Sequence, residues 1–195
     1  MDRLLHYFRS LVPFSEESWH ILQPALSKAS FEKGAPLLKE GQVCRALYFI
    51  EKGYCRSYYP ADGLEKNTGF FFENDMVTNI SSFGSGQPSA YFIVAGETLD
   101  VIVFDKALLQ VASKASPEIE ALGRSCIRLF AARQEDFASI FQVYTAKKRL
   151  EYLERHYPFM LQRVPLTQLA SFLGVARETL SRIRSRRRAG HNGIL

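Results

Sequence analysis

The sequence has no apolar run approaching the ~18–20 residues that a membrane-spanning helix needs. Its first residues, MDRLLHYFRSLVPFSEES, lack the apolar core and small-residue cleavage site of a signal peptide, so a cytoplasmic location with no membrane partner is expected. Cysteine is scarce: Cys44, Cys55 and Cys126 are odd in number and widely spaced. That pattern excludes a disulfide scaffold and fits a reducing compartment. It also lacks the clustering of a zinc or iron–sulfur site. The histidines, His6, His20, His156 and His191, lie outside the β-rich middle of the chain. They cannot supply the His and carboxylate cluster of a cupin-like enzyme, and no Ser/His/Asp or Cys/His arrangement stands in for it. The chain is expected to be no enzyme, with no metal and no resident cofactor. One further gap matters later: no Lys or Arg occurs from Asn67 to Asp105.

What charge there is sits unevenly. The chain of 195 residues carries a net +5. Residues 145–195 hold 11 Lys+Arg against 3 Asp+Glu, whereas residues 1–144 hold 14 against 17. A basic C-terminal segment on a slightly acidic body is the footprint of a nucleic-acid module, unless it is only a solvated basic tail.

Within that segment, Leu166–Arg187 reads LTQLASFLGVARETLSRIRSRR. The pattern predicts two short helices around a tight turn. Ala170 allows close helix approach, and Gly174 permits the positive φ of the turn. Leu180 and Ile183, three apart, share one face of the second helix and pack inward. Arg177, Glu178, Ser181 and Arg182 are left pointing outward near its N-terminal end. An ordinary helical hairpin with a solvated charged face would share part of this pattern.

The stretch VARETLSRIRS resembles the recognition-helix signature of the Crp/Fnr family of bacterial transcription regulators, in which Arg-Glu-Thr-(aliphatic)-(Ser/Gly)-Arg recurs. Arg177, Glu178, Thr179, Leu180, Ser181 and Arg182 match it position by position. The resemblance implies double-stranded DNA and a second copy of the chain as partners, with RNA polymerase as a further one. It assigns base contacts to Arg177, Glu178 and Arg182, and the chemistry agrees. Arginine donates bidentately to guanine O6 and N7, and Glu accepts from the cytosine amino group. Ser181 can reach a base or a phosphate. Thr167 and Gln168, with Arg184, Arg186, Arg187 and Arg188, are candidates for phosphate contacts, which position a protein without reading sequence. Ala176 departs from the family, where a capping Ser or Thr commonly stands; a missing cap costs about 1 kcal/mol. The chain also stops soon after the recognition helix, so the winged-helix-like domain is expected to be minimal.

Upstream, residues 1–30 read as short helices, with Leu4, Leu5, Phe8 and Leu11 on one face and Trp19, Leu22 and Leu26 on another. Candidate strands follow at Phe31–Leu38, Ala46–Lys52, Tyr54–Tyr59, Lys66–Phe72, Tyr91–Ala95 and Leu99–Phe104, with a hairpin signal at Ala61-Asp62-Gly63. Short strands at this spacing predict a small barrel or sandwich. The glycines at Phe31-x-x-Gly34, Glu40-Gly41 and Leu47-Tyr48-Phe49-Ile50-x-x-Gly53 resemble the turns of the cyclic-nucleotide-binding β-roll. The expected fold class is therefore α+β: an N-terminal jelly-roll β-barrel, cupin-like in architecture, then a long dimerisation helix and a C-terminal helix-turn-helix. The expected domains are 1–115, 116–144 and 145–195.

Ser116 and Pro117 read as cap and first residue of the long helix. Ile119, Leu122, Cys126, Leu129, Arg133, Asp136 and Ile140 recur at three and four, an a/d seam. The apolar members are candidates for a homodimer interface, although an intramolecular core helix gives a similar pattern. Arg133 and Asp136 are polar misfits that mark a solvated stretch or set register. Alternatively, Arg133 reaches into the β-roll to sense a ligand. Phe141–Thr145 is the expected hinge. A helix at Ala146–His156 then turns Leu150 and Leu153 inward and ends at Pro158. A short strand or turn at Phe159–Val164 completes the segment.

Cyclic-nucleotide-binding members of the family carry a Gly-Glu pair and an Arg-Ser-Ala run around the cyclic phosphate. Here Asn74-Asp75 replaces Gly-Glu imperfectly, and Pro88 stands where Arg is needed before Ser89-Ala90. A buried cyclic phosphate without a cation is costly, so cAMP is not expected in the usual way. Candidate pocket residues for another small effector are Asn74, Asp75, Thr78, Ser82, Ser89, Tyr91 and Arg133; a filled, ligand-free core is the alternative. The leading functional reading is a homodimeric, sequence-specific DNA-binding transcription regulator on a pseudo-palindromic operator. The other is a small-molecule sensor whose main output is not DNA binding.

Overall fold

The computed structural model describes residues 1–191, without the side chains of Asp136, Arg184 and residues 186–191. The chain groups into two compact units. Met1–Ser57 joins Phe70–Ala132 in the first, and Tyr58–Gly69 joins the chain from Arg133 onward in the second.

The first unit opens with helices α1 (Asp2–Leu11) and α2 (Glu16–Leu22) and a short 3₁₀ turn (Gln23–Ala25). Strands β1 (Leu26–Phe31), β2 (Pro36–Leu38), β3 (Ala46–Lys52), β4 (Cys55–Ala61) and β5 (Leu64–Phe71) follow. Next come β6 (Met76–Val77), helix α3 (Ile80–Ser85), β7 (Phe92–Ala95) and β8 (Leu99–Asp105). Helix α4 (Lys106–Ala115) leads to the long α5 (Pro117–Val143). The strands form two four-stranded sheets, β1-β8-β3-β6 and β2-β7-β4-β5. This is the expected α+β class with an N-terminal jelly roll.

Two cores flank the first sheet because β8 is apolar on both faces. Leu99 and Val101, with Val103 partly buried, point between the sheets onto Tyr48, Ile50, Ile93 and Ala95. Ile102 and Phe104 point the other way, where Leu4, Phe8, Trp19, Leu22, Ala112, Ile119 and Leu122 cover them. The two-residue period of a strand sorts these side chains.

Several expectations are corrected. Leu26 does not continue a helix; it opens β1 and pairs with Phe104. Phe31–Leu38 is not one strand, because Gly34 turns at φ +84 between β1 and β2. Neither α3 nor α4 was legible as an element. Their caps are ordinary: Asn79 accepts from Ser82 N–H at 3.1 Å and Asp105 from Leu108 N–H at 2.9 Å. Ser116 caps α5 as expected, its hydroxyl accepting from Ile119 N–H at 3.4 Å. Glu118 accepts from Ser15 N–H at 2.8 Å and from its hydroxyl at 2.7 Å. These bonds, the backbone one first, hold the Glu118 carboxyl below its ordinary range. They also tie the starts of α2 and α5 together.

The second unit contains helices α6 (Ala146–His156), α7 (Pro158–Arg163), α8 (Leu166–Leu173) and α9 (Arg177–His191). Thr145 caps α6, and Leu150 and Leu153 are buried as expected. Phe159–Val164 is a correction: it forms α7 rather than a strand or turn, with Pro158 at the first helical position, where its missing N–H costs nothing. Helix α5 runs to Val143, leaving only Tyr144 and Thr145 as the link to α6.

Candidate nucleic-acid interface and sensor region

Helix α8 ends at Gly174, which takes the left-handed conformation (φ +71), and its N–H bonds back toward Ala170 and Ser171. Only a residue without a Cβ does this without strain. The turn delivers the chain to α9 through Ala176, whose side chain offers no cap, although its carbonyl accepts from Leu180 N–H at 3.1 Å. Leu169, Ala170, Phe172 and Leu173 of α8 are buried, and Leu180 of α9 is 1 % exposed. Ile183 is half-buried beside it. Arg177, Glu178, Ser181 and Arg182 are exposed along the first turns of α9, where Leu180 is buried. Among the described residues none of them forms an ion pair. Arg182 Nη2 lies 3.4 Å from Thr179 Oγ1.

Thr167 is exposed on α8. Gln168 is half-buried, and its Oε1 is enclosed without a hydrogen-bond partner among the described residues. The side chains of Arg184, Arg186, Arg187 and Arg188 lie outside the described residues, as does the tail beyond His191.

Two contributors here escaped sequence reasoning. Arg149 of α6 donates from Nη1 to the Leu173 carbonyl at 2.9 Å and from Nη2 to the Phe141 carbonyl at 2.7 Å, with its guanidinium 4.9 Å from the Phe141 ring. One cation thus satisfies the C-terminal carbonyls of two helices, where the helix dipole favours it. The second is Ser171, which clasps the β4–β5 hairpin. Its hydroxyl donates to the Glu65 carbonyl at 2.6 Å and accepts from Asn67 N–H at 3.0 Å. The hairpin turns through Asp62 (φ +55) and Gly63 (φ +73), a turn of the mirror-image type that the Asp-Gly pair signals. Removing the clasp with Ser171→Ala should cost about 1 kcal/mol. Amide exchange at Asn67 should speed up accordingly; unchanged protection would mean that the clasp holds nothing.

The sensor candidates do not gather around an open space. Asn79 Nδ2 donates to Ser89 Oγ at 2.8 Å, and Ser89 Oγ donates to the Tyr91 carbonyl at 2.7 Å. Ser82 Oγ donates to the Gln87 carbonyl and accepts from Cys44 N–H at 2.8 Å. Thr78 Oγ1 donates to the Ala46 carbonyl at 3.0 Å. Asn74 occupies a left-handed turn at φ +71, and Asp75 Oδ2 accepts from Phe72 N–H at 2.8 Å. Arg133 belongs to the second unit and sits 6.0 Å from the Phe137 ring.

The seam divides. Ile119 (3 % exposed) and Leu122 (5 %) pack into the chain's own core, with Cys126 partly buried against it. For these three the intramolecular alternative describes the packing. Burial pushes the Cys126 thiol up to about 11. Leu129 (50 % exposed) faces outward near the exposed Ile127, and Ile140 is buried in the second unit.

Residues 28–116 match the family model of the cyclic nucleotide-binding domain. FixK2 of Bradyrhizobium japonicum superimposes with a TM-score of 0.67 at 20 % identity, over 85 % of this chain and 86 % of that one. CLP of Xanthomonas campestris, described as a c-di-GMP-responsive global regulator, does so at 0.70 and 15 % identity, over 91 % and 93 %. The likeness therefore runs through the β-roll, the long helix and the C-terminal helices in one order. In fold and domain order, the chain is similar to these regulators of Crp/Fnr type. A curated relative, the fumarate and nitrate reduction regulatory protein of Salmonella typhi, is 24 % identical over 174 residues, covering 82 % of this chain and 68 % of its own. Among the described residues, no group of His, Cys, Asp and Glu could hold a metal ion, and no helix is long and apolar enough to cross a membrane.

Proposed function

We propose that this chain is a cytoplasmic, homodimeric, sequence-specific DNA-binding transcription regulator of Crp/Fnr type. Residues 1–115 act as the sensor, 116–144 as dimerisation helix and hinge, and 145–195 as the DNA-binding domain. The observation that carries the reading is the α8–turn–α9 pair, with Leu180 buried and Arg177, Glu178, Ser181 and Arg182 exposed around the N-terminal end of α9. That end of a recognition helix enters the major groove. Thr167, Gln168 and the arginines at 184 and 186–188 supply phosphate contacts. Two copies present two reading heads to a pseudo-palindromic operator, with the exposed Leu129 and Ile127 on the partner-facing side of α5. RNA polymerase is the further partner of a regulator so placed.

The effector is not cAMP bound in the usual way. The absence of any Lys or Arg from Asn67 to Asp105 supports this. So does the commitment of Thr78, Ser82 and Ser89 to internal hydrogen bonds. A cyclic phosphate placed there would find no cation within that segment to neutralise it.

Calorimetric titration with cAMP and cGMP, paired with selection from a randomised double-stranded library at stated salt, tests both parts. The expected result is a palindromic consensus with no nucleotide binding. Micromolar cAMP binding would overturn the sensor reading, and no sequence enrichment would overturn the DNA reading.

A further inference from the structure

On the outer face of the first sheet, wholly within the first unit, lies a half-enclosed cavity of about 310 Å³. This is at the small end of the range for ligand sites. Its floor is Leu47, Met76 and Phe104 of the sheet, and α1 to α5 wall it with apolar side chains. Thr78, Gln110 and Ser113 add polar groups to the wall, whereas Ser82 and Ser89 do not line it.

Two features argue that the space takes a ligand. The first is Lys106, the sole charged side chain of the lining. It is half-buried, and among the described residues no carboxylate comes within ion-pair distance of its ammonium. Its neighbour is the Phe83 ring, 5.3 Å away. It also stands at the first position of α4, the positive end of the helix, where a cation is disfavoured. A half-buried ammonium at a helix N-terminus, with an aromatic ring but no carboxylate beside it among the described residues, is complementary to an anion. The second feature is Gly123, inside α5 and on the cavity wall. A Cβ built there meets nothing within 4 Å. Glycine in a helix interior costs about 1 kcal/mol relative to alanine, so a residue that would stabilise α5 and narrow the cavity is absent although there is room for it. Cys126 adds no competing charge, because its buried thiol stays protonated at neutral pH.

We propose that this cavity binds a medium-chain monocarboxylate, with its alkyl chain against Phe104, Leu109 and Phe130 and its carboxylate on Lys106. The proposal rests on the reading of the first unit as a sensor, and it names the effector class.

The full chain is titrated calorimetrically with decanoate below its micellar concentration, with 1-decanol and decyltrimethylammonium as matched neutral and cationic probes. Decanoate is expected to bind once per chain and about tenfold more tightly than decanol, the margin of one charge-assisted contact. Lys106→Met should abolish that margin while leaving decanol binding in place. Gly123→Leu should abolish both and leave the thermal midpoint unchanged or higher. The proposal is overturned by absence of decanoate binding, by a preference for the cationic probe, by a margin that survives Lys106→Met, or by binding that survives Gly123→Leu. None of these readouts involves DNA, so a failure of the DNA-binding reading would be seen separately.

Discussion

Arg182→Ala lowers affinity for the selected operator by about 1–3 kcal/mol per half-site and relaxes sequence preference at one base pair in each. In a homodimer both reading heads carry the change, so the loss reaches roughly 2–6 kcal/mol if the half-sites contribute independently. The reasoning begins with placement. Arg182 lies one turn beyond Glu178 on the exposed face of α9, while Leu180 between them anchors the helix in the core. The guanidinium is not engaged in an ion pair among the described residues, so removing it leaves no buried partner unsatisfied. Fold stability should stay within a few tenths of a kcal/mol, as for other exposed positions. Arg187→Ala is the matched control. Removing a phosphate-binding cation there weakens all sequences alike and reduces the salt slope by about one. Anisotropy titrations against the consensus and its single-base variants separate the two. If the Arg182 variant keeps its full sequence preference, the assignment of base reading to this face of α9 fails.

Gly53→Ala should produce a large loss of stability in the first unit. Gly53 turns the chain between β3 and β4 at φ +87, in the left-handed region. A Cβ there would stand 2.3 Å from the Thr98 carbonyl oxygen and 3.1 Å from Leu99 Cα, and these are backbone atoms of the segment entering β8. No rotamer change relieves such a clash. Backbone strain of about 1–2 kcal/mol adds to an overpacking cost of about 1–3 kcal/mol. A fall of roughly 3 kcal/mol or more in chemical denaturation is expected. Gly63→Ala is the contrast: φ is +73, but nothing lies within 4 Å, so only the strain remains. Equal effects at the two glycines would show that the approach of Thr98 does not matter.

Much of this was readable along the chain because the controlling interactions are local. Ser116-Pro117 announces the start of α5, Asp62-Gly63 the hairpin turn, and Gly174 the break between α8 and α9. Each is a preference of a residue for its own φ or for the N–H groups one turn away. The exposure of Glu178 and Arg182 follows from the same logic, since 3.6-residue periodicity turns both away from Leu180. Where the signal was a short apolar run, it failed. Residues 159–164 read as a short strand or turn, and Pro158 at the first helical position decided for α7.

By itself, then, the sequence determined the fold class, the family likeness, the two helices around Gly174 and the lack of any Lys or Arg from Asn67 to Asp105. All of these depend on residue type and near-neighbour spacing. The tertiary structure alone decided what each surface meets. Ile119 and Leu122 keep heptad spacing yet cover Ile102 and Phe104 of their own chain, because periodicity specifies a face and not its partner. Thr78, Ser82 and Ser89 look like pocket polar groups in one dimension and are committed to backbone carbonyls in three. The clasp of Ser171 on Glu65 and Asn67, and the placing of Lys106 on the same cavity wall as Gly123, join residues far apart in the chain. Such arrangements arise only when packing closes long loops, and no local preference encodes them.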